Sequence, residues 1–348
     1  MGTVMSDSIL STIGAALATA ARRLHANLNW AAGIAAVALM AAQAQPARAQ
    51  DITIGEGIAI GWGQFFVADE RKLWEQEGLN PKIIQFASGR LVLEAVAGGH
   101  VTVGTAAETP VMFAAVNNLP IRVIGTLNRY EPFELAAVKD IKTIQDIKGR
   151  KIGYSQGTNA HYYLHKLLDR AGLKLSDVTP VSLNPGDFVA SLTNGAIDAF
   201  IWTEPHLSQA LAQGGGKVHR IATPGLYSTF SSIITHQKVV DETPELLVKA
   251  LRALIAADRV ARDNPDEAVG YAATRVKLDP QIAKQVWPTL NLAIDLDREA
   301  LTRELESQAK WAIANNLVRP DARLPDFNAV LVSKPLETAR GQLKAAQK

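Results

Sequence analysis

The segment Gln156-Gly157-Thr158-Asn159-Ala160-His161 carries the clearest chemistry in this chain. A glycine there lets the backbone approach a ligand closely, and Thr158 or Asn159 caps the helix that follows. The free N–H groups of a first helical turn, at the positive end of the helix dipole, favour an anion. Gln156, Thr158 and Asn159 add neutral donors suited to oxyanion oxygens, and His161 stands in the same turn. Asn159 equally well serves as a helix cap alone. Two carboxylates, Glu108 and Glu204, each have a proline within the next two residues. They are an acid–base pair in an enzyme, receivers of a ligand ammonium in a binding cleft, or caps of the helices that follow. Trp62 lies in a glycine-rich turn that ends at Gln64, and Trp202 ends a strand. Both either wall a pocket against an apolar ligand body or pack in a core.

Several chemistries are excluded. No Walker lysine follows the Gly157 turn, so it is not a nucleotide P-loop. His161 and His165 have zinc-compatible spacing, but no third ligand and no H-E-x-x-H accompany them, so no metal is expected. With zero cysteines there are no disulfides, thiolate metal sites or cysteine nucleophiles. No G-x-S-x-G elbow and no Ser/His/Asp set is identifiable, and no cofactor is called for. The 36 Lys+Arg against 34 Asp+Glu leave no broad basic face for nucleic acid.

The elements that must position these residues alternate. Strands are expected at 52–55, 82–86, 101–105 and 121–127, with helices at 64–76, 89–97 and 110–117. The pattern recurs as strand 151–153, helix 160–171, strand 178–183, helix 187–193 and strand 197–202. This is α/β architecture with mainly parallel sheets. In such sheets ligands bind beyond the carboxyl ends of strands. That rule selects the turns 55–64, 105–110, 155–161 and 202–205, and adds Ser88-Gly89. Gly89 and Gly98 match Gly186 and Gly195, and Glu108 matches Glu204, an ordered internal repeat that two similar lobes explain. The last third is helical. Thr243-Pro244, Asn264-Pro265 and Asp279-Pro280 pair a capping side chain with proline at the first helical position, and Asp297 is a fourth cap. The tail after Pro325 reads as polar and loosely specified.

Residues 1–49 read as a secretory signal peptide, with Arg22-Arg23, an uncharged apolar run at 30–42 and the small-x-small sequence Ala47-Arg48-Ala49. The run is shorter than the ~20 residues of a membrane span. Its removal leaves equal numbers of acidic and basic residues.

Three stretches resemble the substrate-binding proteins of ABC importers for sulfonates, taurine and nitrate. They are residues 146–153 (DIKGRKIG) leading into 157–162 (GTNAHY), residues 194–199 (NGAIDA) followed by 202–205 (WTEP), and residues 98–110 with Glu108. The resemblance implies a type II periplasmic binding protein: two α/β lobes joined by a two-segment hinge, with the helical C-terminal third packed on lobe one. Lobe one is then 50–133 plus 235–348, and lobe two 134–234. It implies a periplasmic, monomeric, non-enzymatic receptor that captures a small organic anion, an aliphatic sulfonate or a taurine-like compound, and delivers it to ABC permease subunits. The head is expected at 157–161, with Ser88, Gly89 and Glu108 opposite. Thr203-Glu204 departs from the family's Asp-Pro form, and Trp62 has no counterpart in the pattern. Nitrate, bicarbonate or a thiamine-pyrimidine precursor are the alternative ligands, and an exported enzyme using Glu108 and Glu204 the alternative activity. Related enzymes, a thiamine-pyrimidine synthase group and a desulfinase group, are expected to need cysteines, which this chain lacks.

Overall fold

The structure, a computed structural model, describes residues 49–346. The expected signal peptide lies outside them, apart from its last residue.

Strand β1 (Gln50–Gly57) runs into a short 3-10 turn and helix α1 (Gly63–Glu70), then α2 (Leu73–Gln76). The single helix expected over 64–76 is broken, because Lys72 takes a left-handed conformation with φ of 54°. There follow β2 (Leu79–Phe86), α3 (Gly89–Ala97), β3 (Val103–Ala107), α4 (Glu108–Val116) and β4 (Ile121–Tyr130). The next unit holds β5 (Glu134–Val138), β6 (Lys151–Tyr154), α5 (Asn159–Ala171), β7 (Thr179–Ser182), α6 (Phe188–Thr193), β8 (Ala199–Trp202), α7 (His206–Gln213) and β9 (Val218–Ile221). Strand β10 (Thr229–His236) precedes α8 (Gln237–Glu242), α9 (Pro244–Asp263), α10 (Pro265–Val276), α11 (Pro280–Val286), α12 (Arg298–Ala314) and α13 (Lys334–Ala346).

Two five-stranded sheets result, in the orders β2-β1-β3-β10-β4 and β7-β6-β8-β5-β9. In each, three parallel strands alternate with helices, and one inserted strand, β10 or β5, runs antiparallel to both neighbours. The strand on its other side, β4 or β9, again runs with the parallel set, so four of five strands in each sheet are parallel, as expected, and the inserted one makes the sheets mixed. The inserted strand is in both cases the first one after the chain crosses from the other sheet, so the repeat expected from the glycine spacing is a repeat of topology. The crossings are residues 131–133 and 222–228. The return expected at 234/235 thus comes earlier, because β10 belongs whole to the first sheet.

The C-terminal third covers the first sheet. Leu247, Leu251 and Leu254 of α9 and Ala268 and Ala272 of α10 join one buried cluster with Phe65, Phe66 and Trp74, and with Val103, Ile124 and Ile233 of the strands. Of the four expected caps, Asp279 accepts from the N–H of Gln281 at 2.8 Å and Asp297 from that of Ala300 at 3.0 Å. Thr243 and Asn264 make no side-chain cap bond; Thr243 donates its hydroxyl back to Val239 O instead. The tail is not loose. Phe327 is buried, Val332 N–H donates to Val123 O at 2.8 Å along the edge of the first sheet, and Leu336 and Ala339 seat α13. Helical spacing of sparse apolar residues among charges hid this element.

Candidate binding site

The β-to-helix turns of both sheets meet at one cavity of about 60 Å³. Helix N-termini converge on it. Ser88 and Gly89 begin α3, Ala107 precedes α4, and Thr158 and Asn159 begin α5, and all five residues line it. Ser88 accepts from Leu91 N–H at 3.4 Å and Thr158 from Ala160 N–H at 3.2 Å, each using its side chain on the turn it opens. The backbone is closely packed beside the cavity, which favours bare glycine. A Cβ on Gly57 would stand 3.0 Å from Trp62 Nε1 and 3.1 Å from Gly89 N, and one on Gly89 would stand 3.1 Å from Ala106 Cα. Gly157 has φ of +74°, and the Arg90 stem, reaching from α3, lies 3.4 Å from where its Cβ would be.

The walls are apolar and aromatic: Ile58, Trp62, Tyr130, Pro132, Phe133 and Trp202. Phe133, from the first crossing, stacks edge-on against Trp202 at 6.1 Å and tilts over Tyr227, from the second crossing, at 6.3 Å. Arg90 is the only charged residue among the described residues that line the cavity. Its guanidinium pairs with Glu94 one helical turn on, yet its Nε is buried without a partner. Trp202 Nε1 is likewise a buried donor with no partner. Burying a donor unpaired costs ~1–3 kcal/mol, and both of these donors belong to residues that line the cavity.

Beneath the cavity lies a polar network. Glu108, fully buried, accepts from Thr229 Oγ1 at 2.8 Å, from Phe230 N–H at 3.0 Å and from the Tyr227 hydroxyl. Asn159 Nδ2 donates to Tyr227 Oη at 2.5 Å and to Thr229 Oγ1 at 2.8 Å. Gln308 of α12 donates to Glu304 at 2.8 Å and reaches Tyr227 Oη at 3.2 Å. Desolvation pushes the Glu108 carboxyl up to about 7, aided by the charge of Glu304 and opposed by its hydroxyl donors. Burial also holds His161 down to about 4, so it is neutral at physiological pH.

Of the expected site residues, Trp62, Ser88, Gly89, Thr158, Asn159 and Trp202 are brought together at the cavity. The other five are not. Gln64 is buried within the first sheet's core, donating to Leu127 O at 2.8 Å and Asp258 at 3.2 Å, because helix α1 turns it inward. Glu108 lies under the wall, engaged as described. Gln156 faces a separate groove beside Arg90, Ser182 and Asn184. His161 packs against Tyr154 at 5.0 Å and Trp311 at 5.1 Å on the far side of α5. Glu204 accepts from Ser208 Oγ at 2.7 Å and pairs with Arg220, at a second groove. Glu108 and Glu204 thus sit in separate networks, each already neutralised or bonded, and form no acid–base pair across the cavity.

Residues missed from sequence are Arg90, Tyr130, Phe133, Tyr227 and Thr229. Arg90 had a signal. A cation in the first turn of a helix opposes the dipole, so its presence beside Ser88-Gly89 calls for a purpose other than helix stability.

The model of the family described as NMT1/THI5 like matches residues 61–268, more than half of the chain. The chain belongs to this family. Among its relatives is an Escherichia coli strain K12 protein named for binding aliphatic sulfonates, 27% identical over 232 residues, which are 64% of this chain and 72% of that protein. The taurine-binding periplasmic protein of the same strain is 27% identical over 239 residues, 67% of this chain and 72% of its own. In structure, the alkanesulfonate-binding protein of Xanthomonas axonopodis pv. citri bound to MOPS superposes with a TM-score of 0.73 at 19% identity, covering 82% of this chain and 99% of that one. The fold of this family member is that of the periplasmic binding proteins, as the resemblance implied.

Proposed function

We propose that the protein is the extracytoplasmic solute-binding receptor of an ABC importer, which captures a small organic anion with a sulfonate-like head between its two lobes. The observation that carries this is the cavity itself: three helix N-termini meet at it, and Arg90 and Trp202, each with a buried N–H left unpartnered, line it, with no carboxylate among the described lining residues. Each helix end contributes ~0.3–1 kcal/mol toward an anion, more where it is partly buried. The aromatic walls accept the ligand's apolar body. Relatives named for sulfonates and taurine support the same head group.

Capture is a hinge closure about residues 131–133 and 222–228, with lobe one as the first sheet plus the C-terminal helices and lobe two as the second sheet. The first crossing lines the cavity with Phe133, and the second sets Tyr227 against that ring and under Asn159, so closure and ligand contact are coupled. The closed monomer then docks on permease subunits in the periplasm, after export directed by the N-terminal signal.

The test is thermal denaturation of the protein against alkane- and arylsulfonates, taurine, nitrate and pyrimidines. A sulfonate at 100 times its Kd adds ~2.7 kcal/mol and raises the melting temperature. A shift by pyrimidines alone, with none by any anion, refutes the proposal.

A further inference from the structure

The hydrogen-bond directions beneath the cavity determine which face Asn159 shows to a ligand. Tyr227 Oη and Thr229 Oγ1 each carry one proton, and both protons go to the Glu108 carboxylate. A carboxylate only accepts, and it also receives the Phe230 N–H. The two hydroxyls can therefore only accept from Asn159. The amide atom they face is its Nδ2, whose two protons are both used, at 2.5 and 2.8 Å. Asn159 Oδ1 is left as a buried acceptor with no partner among the described residues, on a side chain 2% exposed that lines the cavity.

We infer that the ligand carries a hydrogen-bond donor, an O–H or N–H, that meets Asn159 Oδ1, so that the receptor prefers hydroxy- or aminoalkanesulfonates to plain alkanesulfonates. The inference rests on the anion-receptor function proposed above. It also reverses the role expected of Asn159 from sequence. The residue is an acceptor for the body of the ligand and not a donor to its head, which is left to Arg90 Nε, Trp202 Nε1 and the helix N-termini. Glu108 is a positioning residue in this scheme. It touches no ligand and acts by holding two hydroxyl protons.

The test is isothermal titration at pH 8 with matched probes: ethanesulfonate, 2-hydroxyethanesulfonate and 2-aminoethanesulfonate, then propanesulfonate and 3-hydroxypropanesulfonate. Pairing a buried acceptor makes the donor-bearing member of a pair about tenfold tighter. Asn159→Leu collapses that ratio to about twofold or less. Glu108→Gln shrinks it. The introduced carboxamide nitrogen donates to Tyr227 Oη and the phenol proton turns to Asn159, while Thr229 still accepts only, so neither orientation of the asparagine amide satisfies both hydroxyls and Oδ1 is no longer held toward the ligand. A merely structural role for Glu108 lowers all affinities together. Plain sulfonates binding as tightly as their donor-bearing partners in the unmodified protein, or a ratio that survives Asn159→Leu, overturns the inference. Binding of no sulfonate at all overturns the proposed function instead, and this inference with it. The comparison in the unmodified protein decides even if a variant fails to fold.

Discussion

Replacing Arg90 by methionine separates binding from stability. The substitution keeps the packed stem and removes the guanidinium of the one charged residue that lines the cavity among the described residues. In the folded protein Arg90 gains only a partly exposed i,i+4 pair with Glu94, worth ~0.3–0.5 kcal/mol. Against this, its charge in the first turn of α3 opposes the helix dipole by a similar ~0.3–1 kcal/mol. The two nearly cancel, and losing the buried unpartnered Nε relieves a further ~1–3 kcal/mol, so the ligand-free melting temperature should hold or rise by several degrees. Binding behaves otherwise. A charge-assisted hydrogen bond to an anionic head is worth ~1.5–3 kcal/mol, or about 10- to 150-fold in Kd. In a melt at 100 times the parent Kd, a 30-fold loss lowers the ligand's contribution from ~2.7 to ~0.9 kcal/mol. Calorimetry with 2-hydroxyethanesulfonate supplies the Kd and differential scanning fluorimetry the melts. An unchanged Kd with Arg90→Met refutes the role assigned to Arg90. A ligand-free melt lowered by many degrees shows that Arg90 is structural.

Two further substitutions read the frame around the site. Gly157→Ala forces a left-handed backbone on a β-carbon and should cost ~1–2 kcal/mol in urea unfolding; a variant as stable as the parent contradicts the φ of +74°. Glu108→Gln should change the pH dependence of stability. The folded carboxyl sits at about 7, raised by burial above its usual 4.5, so its stabilising contribution is complete below about 4.5 and is lost as pH rises through 7. Unfolding free energy of the parent should fall relative to the variant by up to ~3 kcal/mol across that window; parallel pH profiles refute the raised value.

Much of the frame is legible in short stretches of sequence. The helix at 89–97 is bounded as expected, because Ser88 and Gly98 mark its ends by local rules. The same holds for α5, stopped by Gly172 at φ of 70°. Strand lengths drift by two or three residues, since pairing and not local preference ends a strand. The inserted strands β5 and β10 escaped notice, although the resemblance placed the crossings at 133/134 and 234/235. A strand that leaves one sheet to enter another has no local mark of its destination.

The sequence by itself determined that strands run into capped helices, and so that Ser88, Gly89, Thr158 and Asn159 stand at helix N-termini, because capping operates within about four residues. It also determined, through the absence of cysteine, that no disulfide or thiolate chemistry operates in it. Only the tertiary structure decided which side chains face the ligand and in what hydrogen-bonding sense. Glu108 meets Tyr227 across 119 positions and Asn159 meets it across 68. The direction of those bonds follows from counting the protons of groups that no sequence window contains together.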